Sequence, residues 1–239
     1  MEPKQNVTEF NSDVLDNGGY LYTNNAPYSA IVANKRIDDK ISDMIQGIVS
    51  IKTIVDIGCG DGSSTNELKG RFNEIEFTGF DPASQAIELA KTKYTKCKFF
   101  VGNILDPSTF PQQKFDLAVM RGILHHLPTQ QAAIQNSAAL SKRLLIIEPN
   151  GNNPILKWIE KKSEYHIKHE EQSFTSKFLK EICIKSNFEI REMDFIGFVP
   201  FFFPAFPAKA IHFFQPLLEN IPFMGKYFGA QIAILAEKK

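Results

Sequence analysis

The spacing of apolar residues along the chain changes period several times. Between residues 30 and 49 they recur at helical spacing, as Ile31, Ile37, Ile41, Met44, Ile45 and Ile48, which predicts one or two helices. A β-branched run follows, Ile54, Val55 and Ile57, and predicts a buried strand. Apolar runs over 75–81, 97–101, 115–120 and 143–148 predict four more strands, with helical stretches at 83–93 and 129–141 between them. Strands alternating with helices argue a doubly wound α/β sheet. Residues 1 to 30 are instead polar and rich in turn formers, although Tyr20, Tyr22 and Tyr28 need somewhere to pack.

Composition narrows the class. A chain of 239 residues with 43% hydrophobic content can bury one large core. The net charge is +0, so the charge balance gives no case for nucleic acid as a partner. Cys59, Cys97 and Cys183 are scattered without metal spacing, and reduced thiols in a cytoplasmic protein are expected. Glu2, Lys4 and Glu9 precede any apolar run, so no signal peptide is expected. No stretch of about 18 uncharged apolar residues predicts a transmembrane helix.

The chemistry concentrates after the first strand. There the chain reads Asp56-Ile57-Gly58-Cys59-Gly60-Asp61-Gly62-Ser63-Ser64, and either serine can cap a following helix. Glycines let a backbone approach a ligand closely, and a helix start offers unpaired N–H groups. Dinucleotide folds use G-x-G-x-x-G to seat a pyrophosphate. The spacing here is G-x-G-x-G, with Asp56 two positions before the first glycine. Asp81 ends the second strand about 20 residues past the turn, the distance at which an acid meets ribose hydroxyls. It can also cap the helix over 83–93.

The run from Asp56 to Gly62, followed by Asp81, resembles motif I of the class I S-adenosylmethionine (SAM) methyltransferases. The resemblance implies a Rossmann-like sheet of seven strands, the last antiparallel and inserted between the fifth and sixth. These last two strands then fall at 188–196 and 230–236. It implies SAM as cofactor, with Asp56, Gly58, Cys59, Gly60 and Gly62 at its methionine end and Asp81 with Pro82 at the ribose. Asn103 and Ile104 fall at the adenine, with Asp106 as the other candidate for its amino group. Phe115-Asp116-Leu117-Ala118-Val119, then Leu124-His125-His126-Leu127, resembles the motif IV region of small-molecule members. Arg121 then lies near the methyl group as a candidate cofactor contact, and either orients an anionic acceptor or simply pairs with a carboxylate. His125 or His126 is a candidate base if the acceptor is a hydroxyl. The region before the first strand is expected either to close the pocket or to be a loose leader. The implied organisation is lead-in helices over 1–50, a SAM-binding core over 51–196, an apolar insertion over 197–229 and a last core strand over 230–239.

Two stretches exceed that minimal fold. Residues 152–174 carry His166 and His169, half of a metal site by spacing, but a solvated helical face is the simpler expectation and no metal is assigned. Residues 194–229 hold ten phenylalanines and five prolines, too much Pro for one long helix and too much Phe for a solvated loop. A cap over an apolar or lipid-linked acceptor is expected there, with core packing or peripheral contact at the inner face of a membrane as alternatives. The expected activity is methyl transfer to such a small molecule, O-methylation favoured, with no nucleic acid involved. A SAM-binding scaffold without catalysis, or an NAD-dependent enzyme, is the competing reading.

Overall fold

The computed structural model describes residues 26–162, 172–201 and 203–239. Seven strands form one sheet: β1 (Thr53–Ile57), β2 (Glu76–Asp81), β3 (Lys98–Val101), β4 (Leu117–Arg121), β5 (Arg143–Pro149), β6 (Phe188–Ile196) and β7 (Gln231–Lys238). Their order is β3-β2-β1-β4-β5-β7-β6. Strands β1 to β5 pair in parallel, and β7 runs antiparallel to both β5 and β6. This is the sheet that the motif I resemblance implied, with strand ends shifted by one or two residues.

Alternation along each central strand feeds two cores, one on either face of the sheet. Val55, Ile57, Ala118, Met120, Leu144 and Ile146 face one way. Ile54, Leu117, Val119, Leu145 and Ile147 face the other. A parallel sheet covered on both faces has no solvated side, which is why its strands read as continuous apolar runs. Helix α1 (Tyr28–Gln46), α2 (Ser63–Arg71) and α3 (Ser84–Lys93) lie along the glycine-turn half of the chain, and α1 and α3 bury Ile37, Ile41, Met44 and Ile87 in the second core. The first core is closed by α4 (Gln130–Ser137) through Ala133 and Ile134, and by α6 (Ser176–Lys185) through Leu179, Ile182 and Cys183. A further helix, α5 (Pro154–Lys162), follows β5.

The insertion before β7 forms two helices, α7 (Ala205–Glu219) and α8 (Pro222–Phe228). A 15-residue helix holding Pro216 in its interior departs from the expectation that proline would keep such elements short. Pro216 lies near the end of α7, so few further backbone bonds depend on it. The insertion joins the end of β6 to the start of β7, which places it at the carboxyl edge of the parallel strands. It is fastened on two sides. Tyr28 Oη lies 2.9 Å from His212 Nδ1, Ser29 Oγ donates to the Phe201 carbonyl at 2.7 Å, and Arg36 is paired with Glu219 at 2.9 Å. Asn150, at the end of β5, donates to the carbonyls of Lys226 and Gly229 at 3.0 and 2.9 Å. Phe198 is buried, and Phe201 and Phe203 are half-buried against the cores. Phe206, Phe213, Phe214 and Phe223 are exposed. Core packing therefore accounts for the neck of the insertion and not for the rings along its helices.

Candidate functional site

The glycine turn is held by its backbone. Gly58, Gly60 and Gly62 all take positive φ, at 75°, 55° and 76°. A β-carbon on Gly58 would stand 2.5 Å from the Ile123 side chain, and one on Gly62 would stand 2.7 Å from Phe99 and 2.8 Å from Ala90. Those two glycines are thus required by the protein's own packing as well as by their φ. Gly62 is the N-cap of α2, so neither Ser63 nor Ser64 holds the capping position. Asp61 Oδ1 accepts from the Ser63 N–H at 3.1 Å and from Ser63 Oγ at 2.6 Å.

Three carboxylates surround this turn. Asp56 is buried and accepts from Thr65 Oγ1 at 2.5 Å. Burial raises its pKa, and the Thr65 bond opposes that rise. Asp81 is buried at the carboxyl end of β2, where Oδ2 accepts from the Gly60 N–H at 3.0 Å and Oδ1 from the Ala83 N–H at 2.8 Å. Burial pushes Asp81 up to about 6, against the two backbone bonds, with Asp56 and Asp61 adding to the rise. Each carboxylate oxygen has two lone pairs, so both Asp81 oxygens keep one acceptor site after their backbone bonds. Those remaining acceptor sites can receive hydroxyl donors. Cys59 is buried beside Gly79, with its pKa raised well above the usual thiol value by burial, so it packs the turn. Pro82 is exposed next to Asp81.

Beyond β3, Asn103 folds back on its own loop. Its Oδ1 accepts from the Leu105 N–H at 2.9 Å, and its backbone N–H donates to Thr109 Oγ1 at 2.9 Å. Ile104 is buried in the first core, so its side chain supports the loop from below. Asp106 instead caps the short turn at Pro107–Thr109 through the Ser108 N–H at 3.1 Å. Both polar candidates thus have a side-chain oxygen engaged by the backbone of their own loop.

The turn after β4 separates the two histidines. His125 Nδ1 lies 2.7 Å from Glu148 Oε2, and Glu148 Oε1 accepts from the Leu124 N–H at 2.7 Å. Glu148 is 0% exposed on β5. The His126 ring centroid lies 4.0 Å from that of His125, tilted by 48°. Ile123, the residue that abuts Gly58, belongs to the same turn, so this dyad adjoins the glycine turn at one sheet edge. Sequence reasoning placed the histidines and missed Glu148. The available signal was a carboxylate ending the otherwise apolar Leu144-Leu145-Ile146-Ile147, because a buried acid needs a partner.

Arg121 is engaged by α1. Its guanidinium is paired with Asp38 of α1 and donates to Asn34 Oδ1 at 2.9 Å. Asp38 is buried, which raises its pKa, while Arg121 opposes the rise. Of the two roles open to Arg121 in sequence, the pair with a carboxylate is the one formed. His166 and His169 lie outside the described residues, and among the described residues no three His, Cys, Asp or Glu side chains cluster as a metal site. Nor is any described helix long and apolar enough to cross a membrane.

Residues 54–143 match the family described as "Methyltransferase domain". A putative methyltransferase, 235L of Invertebrate iridescent virus 6, is 31% identical over 42% of this chain and 37% of its own length. A probable tRNA methyltransferase 9B of Bos taurus is 26% identical over 68% of this chain and 33% of its own length. The chain thus spans about a third of the length of these curated relatives. Among solved structures, magnesium protoporphyrin IX methyltransferase from Synechocystis PCC 6803 with bound SAH superposes with a TM-score of 0.66. It is 15% identical, with 97% of each chain covered, a likeness of fold.

Proposed function

We propose, for a chain whose central domain belongs to the class I SAM-dependent methyltransferases, that it binds SAM at the glycine turn and methylates a small apolar or lipid-linked acceptor, at oxygen. The single observation that carries the reading is the His125–Glu148 dyad beside the glycine turn. SAM supplies an activated methyl group, so the protein's work is alignment and proton management. Gly58, Gly60 and Gly62 shape the methionine end, with Asp56 and Cys59 holding the turn from behind. Asp81 accepts from the ribose hydroxyls beside Pro82, and the Asn103–Ile104 loop takes the adenine.

Glu148 is positioned to hold His125 with Nδ1 protonated, which puts the ring's lone pair on Nε2. An imidazole in that form can take the proton of an acceptor hydroxyl as the methyl carbon–oxygen bond forms. His126 lines the site with its ring tilted against that of His125, and Arg121 braces β4 against α1. The apolar insertion at the sheet's carboxyl edge, together with a net charge of +0, supports an apolar acceptor over a polyanion. Calorimetric titration with SAM and NAD, followed by labelled-methyl transfer into lipid, metabolite and RNA fractions, tests the reading. Binding of SAM alone and label in the lipid or metabolite fraction is expected. Binding of NAD, or label confined to RNA, would overturn it.

A further inference from the structure

Helix α7 is apolar on both of its sides. Its inner side, Ala208 and Ile211, packs with Val32 of α1 and Val199. Its outer side shows Phe206, Phe213, Phe214 and Leu217, which are 87%, 79%, 54% and 64% exposed. A helix that is hydrophobic all round belongs in an interior, so its outer side is matched to something apolar. The surface continues, because α8 contacts both α7 and α5. From α8 it gains Phe223, 63% exposed, and from α5 it gains Ile155 and Trp158.

The charges on these three helices choose the occupant. They carry Lys157, Lys161, Lys162, Lys209 and Lys226 against Glu160 and Glu219. Both acids are turned inward. Glu160 pairs with Lys157 and accepts from the Ser173 N–H at 2.6 Å, and Glu219 pairs with Arg36 and accepts from the Gly197 N–H at 2.9 Å. With Lys157 taken by Glu160 and the Ser173 carbonyl, Lys161, Lys162, Lys209 and Lys226 remain exposed on the same helices as the exposed rings, in a chain of zero net charge. A second copy would set those lysines against their own equivalents, which disfavours self-association through this face. An anionic phospholipid surface matches both features.

We infer that the surface formed by α5, α7 and α8 docks this protein reversibly on an anionic phospholipid bilayer. The rings enter the boundary between headgroups and acyl chains, where Trp158 suits the interface by having an apolar body and a polar N–H. The lysines meet the lipid phosphates, each strengthening attachment about fivefold. Helices α7 and α8 form the insertion at the carboxyl edge of the sheet and α5 follows the carboxyl end of β5, so docking turns the catalytic edge toward the lipid. This goes beyond the methyl-transfer reading, since attachment requires neither cofactor nor acceptor.

The test uses the full chain and vesicles of phosphatidylcholine, with or without about 30% phosphatidylglycerol. Trp158 is the one tryptophan in the chain, so its emission reports on the surface without any mutation. Expected results are a blue shift and co-sedimentation with anionic vesicles, at least about tenfold stronger than with neutral ones and weakened by salt. Phe213→Ser with Phe214→Ser, and separately Lys161→Glu with Lys162→Glu, should each lower attachment about tenfold or more, with melting temperature unchanged. Unshifted Trp158 emission, equal attachment to both vesicle types, or attachment unaffected by either pair would overturn the inference. So would a wild-type dimer in light scattering that the phenylalanine pair dissociates, since the occupant would then be a second copy.

Discussion

Replacing Glu148 with glutamine changes one atom of the proposed dyad and keeps its shape. In the Glu148→Gln variant, Oε1 still accepts from the Leu124 N–H, now 2.7 Å away. The amide nitrogen takes the place of Oε2, 2.7 Å from His125 Nδ1. An amide there donates, so Nδ1 must accept and the imidazole proton moves to Nε2. The ring then offers the acceptor a proton instead of a lone pair. Both partners stay bonded, so the cost in stability is that of exchanging a charge-assisted bond for a neutral one, about 1–2 kcal/mol. Turnover should fall roughly 10²–10⁴-fold, the contribution of a general base held in its working tautomer. Nitrogen-detected NMR of the histidine rings reads the tautomer with no acceptor present, and labelled-methyl incorporation reads turnover. SAM affinity should be unchanged, since the Glu148 carboxylate is bonded to the Leu124 N–H and His125. A switched tautomer with near-normal turnover would refute general-base catalysis by His125. It would leave the dyad a brace for the β4 turn.

Asp81→Asn should lower SAM affinity about tenfold to a hundredfold by removing charge-assisted bonds to ribose, measured by calorimetry. Because burial raises Asp81 to about 6, its proton is held more tightly in the folded chain. The resulting stability is present below 3.8, the ordinary value, and lost as pH rises through about 6. SAM affinity moves the other way, weakening as acid protonates the acceptor below about 6, and Asp81→Asn should flatten that pH dependence. Arg121→Met should destabilise the fold by about 3–5 kcal/mol in chemical denaturation, by stranding buried Asp38, with rescue by Asp38→Asn in the double variant. Gly62→Ala should cost about 1–3 kcal/mol even without cofactor, because its new β-carbon meets Phe99 and Ala90 at a positive φ.

Local pattern carried most of the architecture. Ile54, Val55 and Ile57 leading into three glycines specify a strand, a left-handed turn and a helix start, because period and backbone freedom are properties of neighbours. Asp81 was legible for the same reason: the length of one strand–helix–strand unit fixes where the next carboxyl edge falls. What sequence left open were matters of partnership between distant segments. His125 and His126 are adjacent in the chain, and only the packing of β5 beside β4 gives Glu148 to one of them. Arg121 reads as a cation near a methyl site until α1, 83 residues upstream, supplies Asp38. The phenylalanines of the insertion divide between the neck, where Phe198 is buried, and the outer side of α7, where Phe206, Phe213 and Phe214 are exposed. Composition weighs every ring alike; the fold decides which of them meet the protein and which meet what lies outside it.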